Sequence, residues 1–198
     1  MTVDLSLQNL VICILARHLH FQLESTAAQF LDIIRSRASV ASAISSAAVG
    51  QCPPAALHIL HRATNLQSIA EWITQTAIDV ARIFNAIRRS GAFRGLKRVD
   101  FWAANSHALA LASRRTHPPL ASTDFTAGLS IDGGIFLDGL DSLEYLNWRR
   151  HDIPFISLPS NGALDNVTTI CTENGCSAFL KWLALCRYAD PTTSGVTA

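Results

Sequence analysis

The sequence predicts an α/β protein in which a parallel sheet is flanked by helices. The chain has 198 residues, which is the length of one domain or of one domain with an appendage. Hydrophobic residues make up 49% of the chain and charged residues only 16%, so a large core can be buried. Short apolar segments alternate with longer segments of helical periodicity, and this alternation favours parallel strands that are connected by helices.

The elements can be assigned in order along the chain. A helix is predicted over 4–37, an Ala/Ser-rich connector over 38–50, and a break at Pro53-Pro54. Strands are predicted over 57–60, 97–104, 128–137, 153–158 and 167–171. Helices are predicted over 68–89, 106–114, 142–150 and 174–188. We therefore expect a Rossmann-like (flavodoxin-like) α/β domain over residues 46–198, with an N-terminal helical extension over residues 1–45.

The charge composition argues against a strongly basic nucleic-acid module. Lys and Arg total 16 and Asp and Glu total 15, so the net charge is only +1. Basic residues nevertheless cluster near predicted helix ends, at positions 88–98, 114–117 and 149–151. Two interpretations stay open: favourable interactions with helix C-termini, or a surface that contacts phosphates or acidic proteins.

Motifs for catalysis, cofactors or metals are weak in this sequence. Neither GxGxxG nor GxSxG is present, and the five cysteines form no CxxC pair, which favours buried thiols. Asp132-Gly133-Gly134 fits a turn or bulge better than a phosphate cradle. Asp138, Asp141 and Glu144 fit helix capping better than a metal site. No segment approaches the roughly 18 apolar residues that a membrane span needs. We predict no cofactor, no metal, no small-molecule substrate and no membrane association.

Several segments occur in the order of a known family. They are Ala48-Val49-Gly50, Pro53-Pro54, the segment 57–62, the strand 99–105, Ile135-Phe136-Leu137-Asp138, Glu144, the segment Ile153-Pro154 to Leu158, Asn161, Asn174 and Ser177. Over about residues 46–190 the chain resembles the ribosomal protein S-two family of the small subunit. The coiled-coil insertion of the bacterial members is missing, and Asn105, Ser106 and His107 replace the family's basic residues.

The resemblance implies a function without catalysis. It implies a divergent, mitochondrial member of the family: a structural constituent of the mitoribosomal small subunit that contacts rRNA and neighbouring ribosomal proteins. The residues that we then expect to bind rRNA are Arg62, Arg88, Arg89, Arg94, Lys97, Arg98, Arg114, Arg115 and His117. The alternative is a Rossmann-like nucleotide-binding enzyme or sensor that uses the strand ends near Asn105, Asp138 and Asn161.

Overall fold

The computed structural model describes residues 2–50, 54–72, 76–102, 131–158, 164–173 and 176–188. In these ranges the strands are β1 His18–Phe21, β2 Ser46–Val49, β3 Ser68–Trp72, β4 Arg98–Trp102, β5 Tyr145–Arg149 and β6 Thr169–Thr172. The helices are α1 Thr2–Leu15, α2 Glu24–Ser36, α3 Ala38–Ala43, α4 Pro54–Arg62, α5 Ala77–Ser90, α6 Gly133–Leu137 and α7 Ser177–Tyr188.

The six strands form one parallel sheet in the order β1-β2-β3-β4-β5-β6. The predicted fold class, a parallel sheet flanked by helices, is confirmed. Each described strand lies beside its predecessor, so the order of these six strands contains no reversal point. A reversal point is where open α/β sheets usually form their ligand crevice. The described part of the sheet therefore lacks the usual position for a nucleotide site.

One backbone motif recurs at the start of the strands. The carbonyl of the residue just before a strand accepts hydrogen bonds from two consecutive N–H groups of the next unit. For example, Ser45 and Ser46 both donate to the carbonyl of Arg17, and Gln67 and Ser68 both donate to that of Ser45. The same pairing occurs at the carbonyls of Gln67, Lys97 and Glu144, with N···O distances of 2.8–3.2 Å throughout. Five identical junctions hold the six strands in register.

A side-chain pattern accompanies this backbone motif. An apolar residue lies two positions before each strand. The second and fourth residues of each strand are also apolar in most of the strands. The first column is Ala16, Ile44, Leu66, Leu96, Leu143 and Val167, and the second is Leu19, Ala47, Ile69, Val99, Leu146 and Ile170. The third column is Phe21, Val49, Glu71, Phe101, Trp148 and Thr172. Because strand side chains alternate between faces, the second and third columns define one side of the sheet, the core face. The first column precedes the strands, and its residues belong to or pack against the same hydrophobic cluster.

The described helices pack on the core face. α2, α4 and α5 lie side by side, and their buried residues join the strand columns in a single hydrophobic cluster. Phe84 of α5 stacks on Phe136 of α6, with ring centroids 5.2 Å apart. Trp148 of β5 contacts both Phe155 and Phe179, with ring centroids 5.3 and 6.2 Å away, and these two rings are 5.2 Å from each other. A sheet that grows in one direction through right-handed crossovers places its helices on one side, which explains this layering.

Capping signals and core contacts explain individual elements. Thr76 and Asp79 form a reciprocal capping box at the start of α5. Gly91 ends this helix with φ of 79°, a conformation that glycine adopts without strain. Gly133 and Gly134 begin α6 directly under the segment 153–158. This close approach requires glycine, because a Cβ on Gly133 would overlap Phe155 and one on Gly134 would overlap the Ser157 carbonyl.

The structure corrects several predicted elements. The predicted helix 4–37 contains β1, and the predicted helix 68–89 begins as β3. The predicted strand 57–60 lies within α4, the predicted strand 128–137 ends in α6, and the predicted helix 142–150 ends in β5. Residues 153–158 form no strand. β4 and α7 fall within their predicted segments, and β6 overlaps the predicted strand 167–171 but ends one residue later. The predicted helix 106–114 lies outside the described residues. Four- to five-residue strands are too short for periodicity to separate them from helices.

The predicted domain boundary at residue 46 falls inside this sheet. β1, which precedes the boundary, pairs with β2 from His18↔Ser46 to Phe21↔Val49. α2 packs against α4, and Leu31 and Ile34 of α2 belong to the common core. The segment 18–45 is thus built into the same layers as the residues that follow it.

The backbone junction and the three mostly apolar columns together form a structural repeat. Substitutions that leave a cavity in its first column should destabilise the protein. Leu96 is fully buried, so Leu96→Ala should lower the free energy of unfolding by about 2–5 kcal/mol. The adjacent Lys97, whose side chain is 52% exposed, provides the control. Lys97→Ala should change the free energy of unfolding by no more than about 0.5 kcal/mol. Urea denaturation would measure both variants, and equal stability would contradict the repeat described above.

Candidate functional site

The second side of the sheet, which we call the open face, carries polar and small residues in its first two rows. These side chains alternate with the core columns, and the parallel register aligns them in rows across the strands. The first row is His18, Ser46, Ser68, Arg98, Tyr145 and Thr169, and the second is His20, Ala48, Ala70, Asp100, Asn147 and Cys171. The β4–β6 part of this face holds the largest polar side chains.

A continuous hydrogen-bonded chain, the polar ladder, crosses β4, β5 and the end of β6. Its members are Arg98, Asp100, Asn147, Arg149 and Glu173. Arg98 donates to Asp100 at 3.2 Å, and Asn147 donates to the other oxygen of the same carboxylate at 2.7 Å. Arg149 donates through Nε to Asn147 at 3.0 Å and through a terminal nitrogen to Glu173 at 3.4 Å. Both guanidinium groups are therefore held in fixed orientations.

Tyr145 supports the ladder at its Arg98 end. The Arg98 guanidinium lies over the Tyr145 ring, 3.9 Å from the centroid, in a cation–π contact. A hydrogen bond with Cys171, together with burial, raises the pKa of the Tyr145 phenol, so the ring stays neutral under the cation at physiological pH.

The ladder is accessible to a partner. The side chains of Arg98, Arg149 and Glu173 are 49%, 36% and 41% exposed. Asn147 is buried, and Asp100 is 25% exposed. Cations and carboxylates alternate along it, so a partner would meet a neutral, directional set of donors and acceptors.

A buried ion-pair cluster, the Glu71–Arg150–Asp152 bridge, lies on the core face beneath the ladder. Arg150 donates to Glu71 at 2.5 Å and makes two bonds, of 2.9 and 2.6 Å, to the Asp152 carboxylate. The Glu71 and Arg150 side chains are at most 1% exposed. Burial raises the pKa of Glu71 to about 8, against the attraction of Arg150. Sequence reasoning missed this cluster, because Arg150 was assigned to a helix end.

The predicted rRNA-binding residues do not form one surface of free cations. Arg88 is half-buried and donates to the carbonyls of Ile135 and Asp138, so it joins α5 to α6. Burial also lowers the pKa of its guanidinium. Lys97 and Arg94 form ion pairs with Glu144 and Asp141, at 3.2 and 3.9 Å.

The other predicted rRNA-binding residues have three locations. Arg62 and Arg89 are exposed at the ends of α4 and α5, and Arg98 belongs to the ladder. Arg114, Arg115 and His117 lie outside the described residues. The predicted clustering of three Arg pairs at helix C-termini is wrong for Arg149 and Arg150, because Arg149 ends β5 and Arg150 is buried.

The Asp132-Gly133-Gly134 segment has a structural role in place of a phosphate cradle. The Asp132 carboxylate accepts hydrogen bonds from the backbone N–H groups of Gly134, Ile156 and Ser157 at 2.9–3.1 Å. Burial alone would raise the pKa of Asp132, but the bonds that its carboxylate accepts outweigh burial and lower the pKa. This carboxylate fastens the segment 153–158 to the start of α6.

Of the acidic residues predicted to cap a helix, two form ion pairs and one caps a different helix end. Asp141 and Glu144 form the ion pairs with Arg94 and Lys97, and Asp138 is the C-terminal cap of α6. Within the described ranges, no group of three or more His, Cys, Asp or Glu residues is arranged to hold a metal ion. None of the described helices is both long and apolar enough to cross a membrane.

A cavity of about 330 Å³ opens at the amino-terminal ends of the strands, between Ser45, Gln67 and Gly95. Ligands of open α/β sheets bind at the opposite, carboxyl-terminal edge. Of the residues proposed for the nucleotide alternative, Asp138 does not line this cavity, and Asn105 and Asn161 lie outside the described residues.

The comparisons with known proteins identify no relative of this chain. No protein-family model matches the chain, and no curated protein or solved structure matches it either.

Loss of the Asp132 carboxylate should destabilise the protein in a pH-dependent way. Asp132→Asn should lower the free energy of unfolding by about 1–3 kcal/mol at pH 7, because a carbonyl oxygen accepts these bonds less strongly than a carboxylate does. Since the folded-state pKa lies below the unfolded value, this contribution is present above about pH 4 and is lost as the pH falls through the folded pKa. Thermal unfolding from pH 2 to 8, with the exposed Asp165→Asn as the control, would show whether the difference shrinks in acid.

The buried bridge should behave as a coupled pair. At pH 7, Arg150→Met should cost about 1–3 kcal/mol of stability, because it leaves the buried, mostly neutral Glu71 carboxyl group without its hydrogen-bond donor. The double variant Glu71→Leu/Arg150→Met should recover most of that loss. Arg35→Met, which breaks an ion pair whose side chains are 58% and 75% exposed, should cost less than about 1 kcal/mol. A double variant no more stable than Arg150→Met would show that the two groups are not coupled.

Proposed function

We propose that this protein is a non-catalytic interaction module that binds a protein partner through the open face of its sheet. The observation that carries this proposal is the polar ladder of Arg98, Asp100, Asn147, Arg149 and Glu173. The ladder holds charged groups in fixed positions on a partly exposed surface, and such preorganisation lowers the cost of binding.

The architecture supports the proposal. Successive strands begin at residues 18, 46, 68, 98, 145 and 169, so most units span about 22–30 residues, near the length of solenoid repeats. The apolar columns, one strand per unit and helices on one side give the general design of leucine-rich-repeat solenoids. Solenoids of this kind use an extended surface for binding, and function in them depends on the side chains displayed there.

The charges of the ladder favour a protein over RNA. Asp100 and Glu173 alternate with Arg98 and Arg149, and each carboxylate already partly neutralises a neighbouring cation. An RNA backbone presents phosphates at every step and would be repelled by both carboxylates. A protein surface can present its own alternating charges, amides and hydroxyl groups.

The mitochondrial small ribosomal subunit, with its rRNA and ribosomal-protein partners, stays a prediction from the family resemblance. Interaction with neighbouring proteins is compatible with that assembly, and the net charge of +1 supports protein contacts there more than rRNA contacts. The nucleotide-binding enzyme or sensor also stays a prediction. Co-sedimentation of the protein with small-subunit rRNA in mitochondrial extracts would support the ribosomal assignment.

Cross-linking would test the open face directly. A photoreactive residue at Thr169, on the first row of this face, should capture a defined protein in cells, whereas one at Arg62, at the end of α4, should not. Arg149→Ala should weaken the affinity for the purified captured protein by about tenfold, with Arg62→Ala as the matched control. Capture of RNA at Thr169, or equal capture at both positions, would refute the proposed function.

A further inference from the structure

Glu71 departs from the pattern of its own column. Four of the six residues at the fourth strand position are apolar, and Thr172 belongs to β6 at the edge of the sheet. Glu71 lies on the interior strand β3, with its side chain fully buried. Places where a buried position breaks the local pattern are the places where a functional or strained feature is expected.

Among the described residues, the surroundings of Glu71 hold less positive than negative charge. Arg150 contacts it at 2.5 Å but also makes two hydrogen bonds to Asp152. The carboxylates of Asp152 and of Asp79, at the start of α5, both act electrostatically on Glu71. Asp79 is itself paired with Arg82, at 3.2 Å. The second carboxyl oxygen of Glu71 has no hydrogen-bond partner among the described residues.

The bridge lies directly behind the ladder. Arg149 is the last residue of β5 and belongs to the open face, whereas the next residue, Arg150, is buried on the core side. The two side chains leave consecutive Cα atoms in opposite directions. Any change in how Arg150 is held therefore acts on the backbone that positions Arg149.

We propose that the Glu71–Arg150 pair is a proton-responsive tie that regulates the open face by setting how firmly the end of β5, and with it Arg149, is held. This inference rests on the proposed function only in assigning the open face to partner binding. The chemical step is the transfer of one proton between water and the Glu71 carboxylate. When Glu71 is protonated, the contact with Arg150 is a hydrogen bond to a neutral group, and Asp152 keeps its ion pair.

The working range of the tie follows from its environment. Burial, opposed by Arg150 and aided by Asp152 and Asp79, raises the pKa of Glu71 to about 8. Glu71 is thus mostly neutral at pH 7 and becomes ionised between pH 7 and 9. Because the folded-state pKa is above the unfolded value, proton loss in this range also lowers the stability of the fold. The tie therefore switches under mildly alkaline conditions.

Carbon-detected NMR of the arginine side chains would test the tie without any partner. The Cζ and Nε signals of Arg149 and Arg150 should shift together between pH 6 and 10, with one midpoint near 8. Arg35, which pairs with Asp32 on α2, should show no such transition and serves as the control. Glu71→Gln should abolish the shift at both arginines. Persistence of the shift in this variant, or a shift at Arg150 without one at Arg149, would overturn the proposal.

A second variant keeps the test informative should Glu71→Gln fail to fold. Asp152 is 41% exposed, and Asp152→Asn removes a carboxylate that raises the pKa of Glu71 while the contact between Arg150 and Glu71 is kept. The midpoint of the arginine signal shifts should then fall by about half a pH unit or more. A bridge with a purely structural role would show no transition between pH 6 and 10. A midpoint that stays near 8 contradicts the proposal. Since no partner is present, failure of the open face to bind a protein would leave these results unchanged.

Discussion

The repeated junction between neighbouring units is the constraint on which the rest of this structure depends. The carbonyl just before a strand accepts hydrogen bonds from two N–H groups of the next unit. An apolar side chain, such as Leu66, Leu96 or Leu143, is buried next to this junction. The hydrogen bonds fix the register, and the burial supplies the driving force. Because every junction is the same, each new strand is added on the same side. The helices then gather on the core face.

Among the described elements, this construction puts the helices on the core face and leaves the open face uncovered by them. Side chains there need not pack against helices, so Arg98, Asn147 and Arg149 can form a hydrogen-bonded network that is specific and still partly exposed. The buried Glu71–Arg150 pair is unusual in such a fold, since ion pairs in a core rarely contribute net stability. Its location behind Arg149 is consistent with a regulatory role in partner binding.

The sequence allowed parts of this fold to be predicted. The alternation of apolar and amphipathic segments was enough for the α/β class, and β4, β6 and α7 fall where their apolar runs predicted them. Short strands such as β1 and β3 were hidden, because His18–Phe21 and Ser68–Trp72 continue the helical spacing of their neighbours. The repeat has a readable signal in Leu96-x-x-Val99-x-Phe101 and Leu143-x-x-Leu146-x-Trp148. Weak copies such as Ile44-x-x-Ala47-x-Val49 obscured it.

The sequence by itself determined that this chain buries a large core around parallel strands, because hydrophobic content and periodicity act locally along the chain. Only the tertiary structure decided which polar residues meet. Glu71 and Arg150 are 79 positions apart and Asp100 and Asn147 are 47 apart, and the register of β3, β4 and β5 alone brings them together. Register depends on hydrogen bonds and packing between distant segments. A residue's charge does not show whether it will face solvent, a partner or a buried counter-ion.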